Sequence, residues 1–178
     1  MTDFKMPPME DKDFGPSNGN WFKLGVYEVY IQGVTVGESP NTNSKYLEFA
    51  LLGPDDQEGT ARLYLTEMAA PYTRNTLAQI SVHNADTEEA KQKVRDYFRV
   101  ITDPASLADS KLLAKFKDKQ AWIDVYEDDK SPKPNGGFYT RTKLTSYEPK
   151  HRELSKSAQI DDLLSNSTPV DDDDVPFN

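Results

Sequence analysis

The chain has no cysteine among its 178 residues. This excludes disulfides, thiolate zinc sites and cysteine nucleophiles, and it fits a reducing compartment. Histidine is almost as scarce. Only His83 and His151 occur, neither with a second ligand at metal-binding spacing, so neither a metal site nor a cofactor is expected. Long apolar runs are missing as well: no stretch approaches the ~18 residues of a membrane span, and the polar start from Met1 to Asp13 lacks a secretory hydrophobic segment. The chain therefore reads as a cytoplasmic protein without a membrane partner. No phosphate-cradling glycine-rich loop is present, and Asp124, Asp128 and Asp129 lack the paired acid and lysine of a nuclease. Those three are expected to be solvated carboxylates near a strand end, and no catalytic activity is expected.

Two further shortages concern the ligand and the tail. Apolar residues make up 36% of the sequence, below the ~45–50% of an average globular chain counted with glycine, so part of the chain is expected to stay unfolded. Positive charge is in deficit, with 21 Lys and Arg against 30 Asp and Glu and a net charge of −9. That balance opposes a phosphate-bearing ligand. The deficit, however, sits at the ends. Residues 151–178 carry seven acidic and two basic side chains and residues 1–13 carry four and two, which leaves residues 14–150 with only −2 of the −9. A basic stripe on that near-neutral body is compatible with the totals.

What is present is a change of period along the chain. Residues 1–19, with Pro7-Pro8 and Gly15 to Gly19, are turn-rich and aperiodic and read as a flexible arm. From Trp21 to Val36, Tyr27, Val29 and Ile31 alternate with Glu28, Tyr30 and Gln32 as in a long strand. Gly33 shifts the alternation onto Val34 and Val36, which predicts a bulge or bend there. After the turn Ser39 to Asn43, Leu47, Phe49 and Leu51 mark a second strand, and after Gly53 to Asp56 the run Arg62 to Leu65 marks a third. From Thr66 the period becomes helical. Asp86 and Glu89 suggest a capping box before the stripe Ala90, Val94, Tyr97, Phe98 and Ile101, and Asp103-Pro104 opens a further candidate helix through Leu107, Leu112, Leu113 and Phe116. Ala121, Ile123 and Val125 then alternate with Trp122, Asp124 and Tyr126. A loop from Asp128 to Gly137 leads into a last strand, Phe138 to Tyr147.

Five strands with helices between the third and fourth predict a mainly β, α+β domain over residues 20–150. The connectivity is that of the five-stranded OB-fold barrel, which serves oligonucleotide binding. An SH3-like barrel and an unrelated α+β sheet remain as alternatives. With the aliphatic positions inside, alternation turns Tyr30, Tyr46, Arg62, Tyr64, Trp122, Tyr126, Tyr139, Arg141 and Lys143 outward. Rings on which bases stack beside cations that follow phosphates are what a sequence-independent single-strand binder needs. Some of these rings are equally suited to covering the helices or the barrel ends, and outward Glu48 and Asp124 would repel phosphate. Lys45, Lys130 and Lys133 add cations in the expected loops.

Residues 151–178 turn polar and read as a disordered tail with a small apolar island at Ile160, Leu163 and Leu164. Its tip places Asp171, Asp172, Asp173 and Asp174 directly before Val175, Pro176 and Phe177, a pattern suited to a pocket with a basic rim. This tip resembles the acidic C-terminal motif of bacterial and phage single-stranded DNA-binding proteins, several aspartates followed by Ile-Pro-Phe. The strand order of residues 20–147 and the run Gly137 to Arg141 resemble the phage-type members more loosely. The resemblance implies a non-enzymatic protein that coats single-stranded DNA in a bacterial or phage-infected cell. By the same resemblance the tail recruits replication, recombination or repair proteins and competes with DNA for the basic groove. The chain departs from the motif at Val175, where the family has Ile, and at Asn178, which follows the Phe that usually ends the chain. The alternative reading is a non-catalytic protein-binding adaptor whose acidic tail solubilises it or mimics nucleic acid. The oligomeric state has no signature in the sequence.

Overall fold

The computed structural model describes residues 21–150. The expected arm 1–19 and the acidic tail 151–178, with its docking tip, lie outside the described residues. Five strands form one antiparallel sheet: β1 (Gly25–Glu38), β2 (Lys45–Leu52), β3 (Glu58–Tyr64), β4 (Gln120–Pro132) and β5 (Phe138–Thr145). Between β3 and β4 lie the helices α1 (Ala70–His83), α2 (Glu88–Arg99) and α3 (Ser110–Ala114).

The spatial order is β3-β2-β1-β4-β5. Strand β1 is long enough to serve two partners: its first half pairs with β4, from Gly25 opposite Val125 to Tyr30 opposite Gln120. Its second half pairs with β2, ending with Glu38 opposite Lys45. The register shifts between Ile31 and Gly33, where the sequence pattern places a bulge. Val29 and Ile31 face inward before it. After it Val34, half-buried, and Val36, 46% exposed near the strand's end, are in register with buried Phe49 and Leu47. The backbone groups freed by the shift are not left unpaired. Ile31 donates its N–H to Lys119 O at 2.9 Å and accepts from Asp118 N at 2.7 Å, so the segment entering β4 closes the bend. The edge strands β3 and β5 approach one another without sharing a ladder, and the sheet is open.

The inner face carries the core. Val29, Ile31, Leu47, Phe49, Leu51, Ile123 and Leu144 are essentially inaccessible, and Leu77, Ile80, Leu107, Leu112, Leu113 and Phe116 cover them from the helical side. Phe49 meets Phe116 edge-on, with ring centroids 6.3 Å apart, the preferred geometry for aromatic quadrupoles. Helix α1 contacts both edge strands. Its buried Thr73 donates its hydroxyl to Tyr64 O at 2.7 Å, and Asn84 at its end pairs with the backbone of Gln120 in both directions at 2.8 Å. Two of the five buried positions of α1, Thr73 and Thr76, are polar, so α1 lacks the clear apolar stripe that marks α2 in the sequence.

Two helix boundaries differ from the sequence expectation. Helix α2 is capped by Thr87, not Asp86: Thr87 is extended and its hydroxyl accepts Ala90 N–H at 3.1 Å. The continuous helix expected from Pro104 to Phe116 is divided into a 3₁₀ segment, Pro104–Ala108, and α3. Asp109 causes the break. Its backbone is extended and its carboxylate accepts Leu112 N–H at 3.0 Å, so it starts a new helix instead of continuing the old one.

A candidate nucleic-acid interface on the outer face

Residues directly opposite one another across a ladder point to the same face, so the register fixes what the sheet presents outward. At one end, Tyr46 of β2 lies between Gly37 of β1 and Tyr64 of β3. Glu48 stands between Thr35 and Arg62 in the same way. The two tyrosine rings meet edge-on at 5.8 Å, and the Arg62 guanidinium lies over the Tyr46 ring at 4.5 Å from its centroid. Gly37 leaves the room this group uses: a Cβ there would come within 2.5 Å of the Tyr46 ring, which would have to shift. The ring therefore rests on bare backbone.

Strands β4 and β5 continue the same face. Tyr126 stands opposite Arg141, Asp128 opposite Tyr139, and Asp124 opposite Lys143. The Arg141 guanidinium donates to Asp128 through Nε and to Ser131 Oγ at 3.2 Å, and Ser131 in turn donates to Asp128 at 2.9 Å. The Arg141 proton is held more tightly than usual, first by the Asp128 hydrogen bond, with smaller contributions from Tyr126 and Tyr64. Tyr64 belongs to the opposite edge strand, β3, which approaches β5. Tyr46, Arg62 and Tyr64 on β2 and β3, and Arg141 and Tyr126 on β5 and β4, thus set flat rings beside guanidinium groups as one strip on the outer face.

The structure sorts the expected residues into groups. Arg62, Tyr64, Tyr139, Arg141 and Lys143 are outward and exposed as expected, and Tyr46 and Tyr126 are outward but half-buried. Tyr30 and Trp122 share the face without joining the strip. Trp122 sits opposite Glu28 and Thr145, four residues along β4 from Tyr126, a separation of ~13 Å at strand rise. Lys133 lies over the Tyr139 ring at 5.7 Å, at the mouth of a hairpin whose Gly136 and Gly137 take positive φ angles of 93° and 76°. Lys45 is the exposed first residue of β2. Lys130 is not in a loop as expected. Strand β4 runs on to Pro132, and the register shift between Asp128 and Pro132 folds Lys130 back so that its N–H reaches Asp128 Oδ1 at 3.1 Å.

Carboxylates on this face are the part that sequence reasoning misjudged. Glu48 bonds Arg62 Nε at 2.6 Å, so both strip arginines are already paired with acids. Asp124 keeps its expected outward register, opposite Lys143, but is buried at 5% exposure rather than solvated. Asp128, expected to be merely solvated, is the main partner of Arg141, and that hydrogen bond, followed by the one from Ser131, holds its carboxyl below the usual range. Among the described residues no group of three or more His, Asp or Glu side chains is arranged to hold a metal ion, and no helix is long and apolar enough to cross a membrane. No protein-family model matches the chain, and no curated protein matches it.

Proposed function

We propose that the chain binds single-stranded DNA without sequence preference on the outer face of an OB-type barrel, as a non-enzymatic coating protein of the cytoplasm of a bacterial or phage-infected cell. The observation that carries this reading is the strip Tyr46, Arg62, Tyr64, Arg141, Tyr126. Bases have π-faces that stack on rings whatever their identity, and guanidinium forks bind the phosphates between them. The topology supports the same reading: β1 shared between β2 and β4, helices inserted after β3, and edge strands that approach each other are the arrangement an OB barrel requires. Tyr139 and Lys133 flank the strip at the hairpin, and Lys45 flanks it at the turn before β2. The tip Asp171 to Phe177 is proposed to bring replication, recombination or repair proteins to the coated strand.

The adaptor reading is favoured by one observation, the pairing of both arginines with carboxylates of their own face. Titration with oligothymidine separates the two readings. DNA binding requires quenching of tryptophan or tyrosine emission and an affinity that falls with salt at ~0.7 log units per decade for each phosphate contact. An unchanged spectrum at low salt would end the DNA reading. Removing residues 165–178 should then abolish partner pull-down while keeping or raising DNA affinity.

A further inference from the structure

A second aromatic group lies at the far end of the same face. Phe22, just before β1, packs where Gly53 and Gly59 have no side chain; a Cβ on either would come within 2.3 or 2.6 Å of its ring. Gly59 is in register with buried Leu51, so Phe22 plugs the inner side, 5.1 Å from Tyr27. Successive side chains of extended chain point to opposite faces. Trp21 is therefore turned outward. It forms a parallel bridge to Glu58, which is in register with Leu52 and, through it, with Tyr30. Trp21 and Tyr30 are 61% and 52% exposed, although burial of rings of this size is strongly favourable.

Between this end and the tyrosine strip the face is low. Gly33, Ala50 and Thr60 stand in register, and the space above Gly33 is open. Six residues of β2 separate Tyr46 from Leu52, ~20 Å at strand rise. A strand with the ~3.4 Å phosphate spacing of a stacked helix covers that distance in about six nucleotides, and an extended strand needs fewer.

Building on the proposed DNA reading, we propose that Trp21 is a second base-stacking platform, and that a bound strand runs from the Tyr46–Tyr64 end across the Gly33–Ala50–Thr60 floor to Trp21. Short oligomers occupy the arginine-bearing end and longer ones engage both.

The test compares dT15 with dT4 on the full-length protein. Trp21→Ala should weaken dT15 by about 5- to 150-fold, the equivalent of one stacked base, and leave dT4 within about two-fold, while W21F should restore most of the loss. In W122F, which keeps Trp21 as the remaining tryptophan, emission should be quenched by dT15 and not by dT4. Wild-type protein that binds dT15, with W21A binding equally well or with dT4 quenching Trp21 as strongly, overturns the path while sparing the DNA reading. Wild-type protein that does not bind dT15 at low salt removes both. Because Trp21 is mostly exposed, circular dichroism of W21A should match wild type, and a lost β signal would count against its assignment to the outer surface.

Discussion

Glu48→Gln is the most informative perturbation of the strip, because it alters the electrostatics of Arg62 without removing a ring. Arg62 Nε is 2.6 Å from Glu48 Oε2, and that hydrogen bond is the largest cause of its raised pKa. A phosphate reaching Arg62 must displace the carboxylate. Half of the Arg62 side chain is exposed, so the pair falls in the surface class worth ~0–1 kcal/mol, and removing the competing charge should raise DNA affinity by at most about five-fold. The salt dependence is the sharper readout. One phosphate contact no longer opposed by an acid steepens the slope by ~0.7, equivalent to an additional loss of about 2.6-fold between 50 and 200 mM salt. Fluorescence titration of dT15 across that salt range measures both quantities. Urea unfolding, expected to shift by under about 1 kcal/mol, shows whether the variant is folded. If affinity and slope both stay at wild-type values, Arg62 does not meet phosphate and the strip is not the DNA path.

Asp128→Asn should act on Arg141 as E48Q acts on Arg62, and the double variant should steepen the salt slope by ~1.4. The Asp128 carboxyl is lowered in the folded protein by the Arg141 and Ser131 hydrogen bonds. Its contribution to stability is therefore complete above the ordinary carboxylate pKa and lost as pH falls through the lowered value. The stability difference between wild type and D128N should be constant near neutral pH and shrink below pH ~4, as read by urea midpoints. Gly37→Val should reduce dT15 affinity as much as Tyr46→Ala, by about 1–3 kcal/mol, because both unseat the same ring. Adding Y46A to G37V should then cost little more, and full additivity in that cycle would disprove the dependence. Phe49→Ala should destabilise the fold by about 3–5 kcal/mol in chemical denaturation, since the ring is wholly buried against Phe116, and a loss under 1 kcal/mol would contradict the packing described.

Strand content was legible because its signal is local. Alternation of Val29, Ile31, Leu47, Phe49, Leu51, Ile123 and Val125 sets which side is buried, and a single glycine at position 33 was enough to place the bulge. The breaks in the helical region were less legible because they turn on side-chain competition with the backbone. An aspartate at 109 can sit mid-helix or cap a new helix, and only the three-dimensional packing of Leu107 and Leu112 decides which. Partnerships on the outer face were illegible for a different reason. Glu48 and Arg62 are fourteen residues apart and Asp128 and Arg141 thirteen, and their pairing depends on registers set by the intervening turns. The local pattern makes Trp21 the start of a strand. Its bridge to β3 and the glycine seats of Phe22 have no counterpart in the local pattern.

The paired arginines also bear on how an acidic chain of net charge −9 could hold a polyanion. A strip of unpaired guanidinium groups would attract any phosphate from a distance and would release a strand slowly. Arginines that each rest against a carboxylate have that long-range field largely cancelled, yet a phosphate delivered to the same spot by a stacked base can still exchange for the acid. Stacking then becomes the first requirement for binding and charge the second. A duplex, whose bases are already stacked on one another, offers this face its phosphates without its rings. Under the DNA reading, discrimination between single and double strands follows from Glu48 and Asp128 as much as from the tyrosines. Neutralising both acids should therefore raise duplex affinity by a larger factor than single-strand affinity.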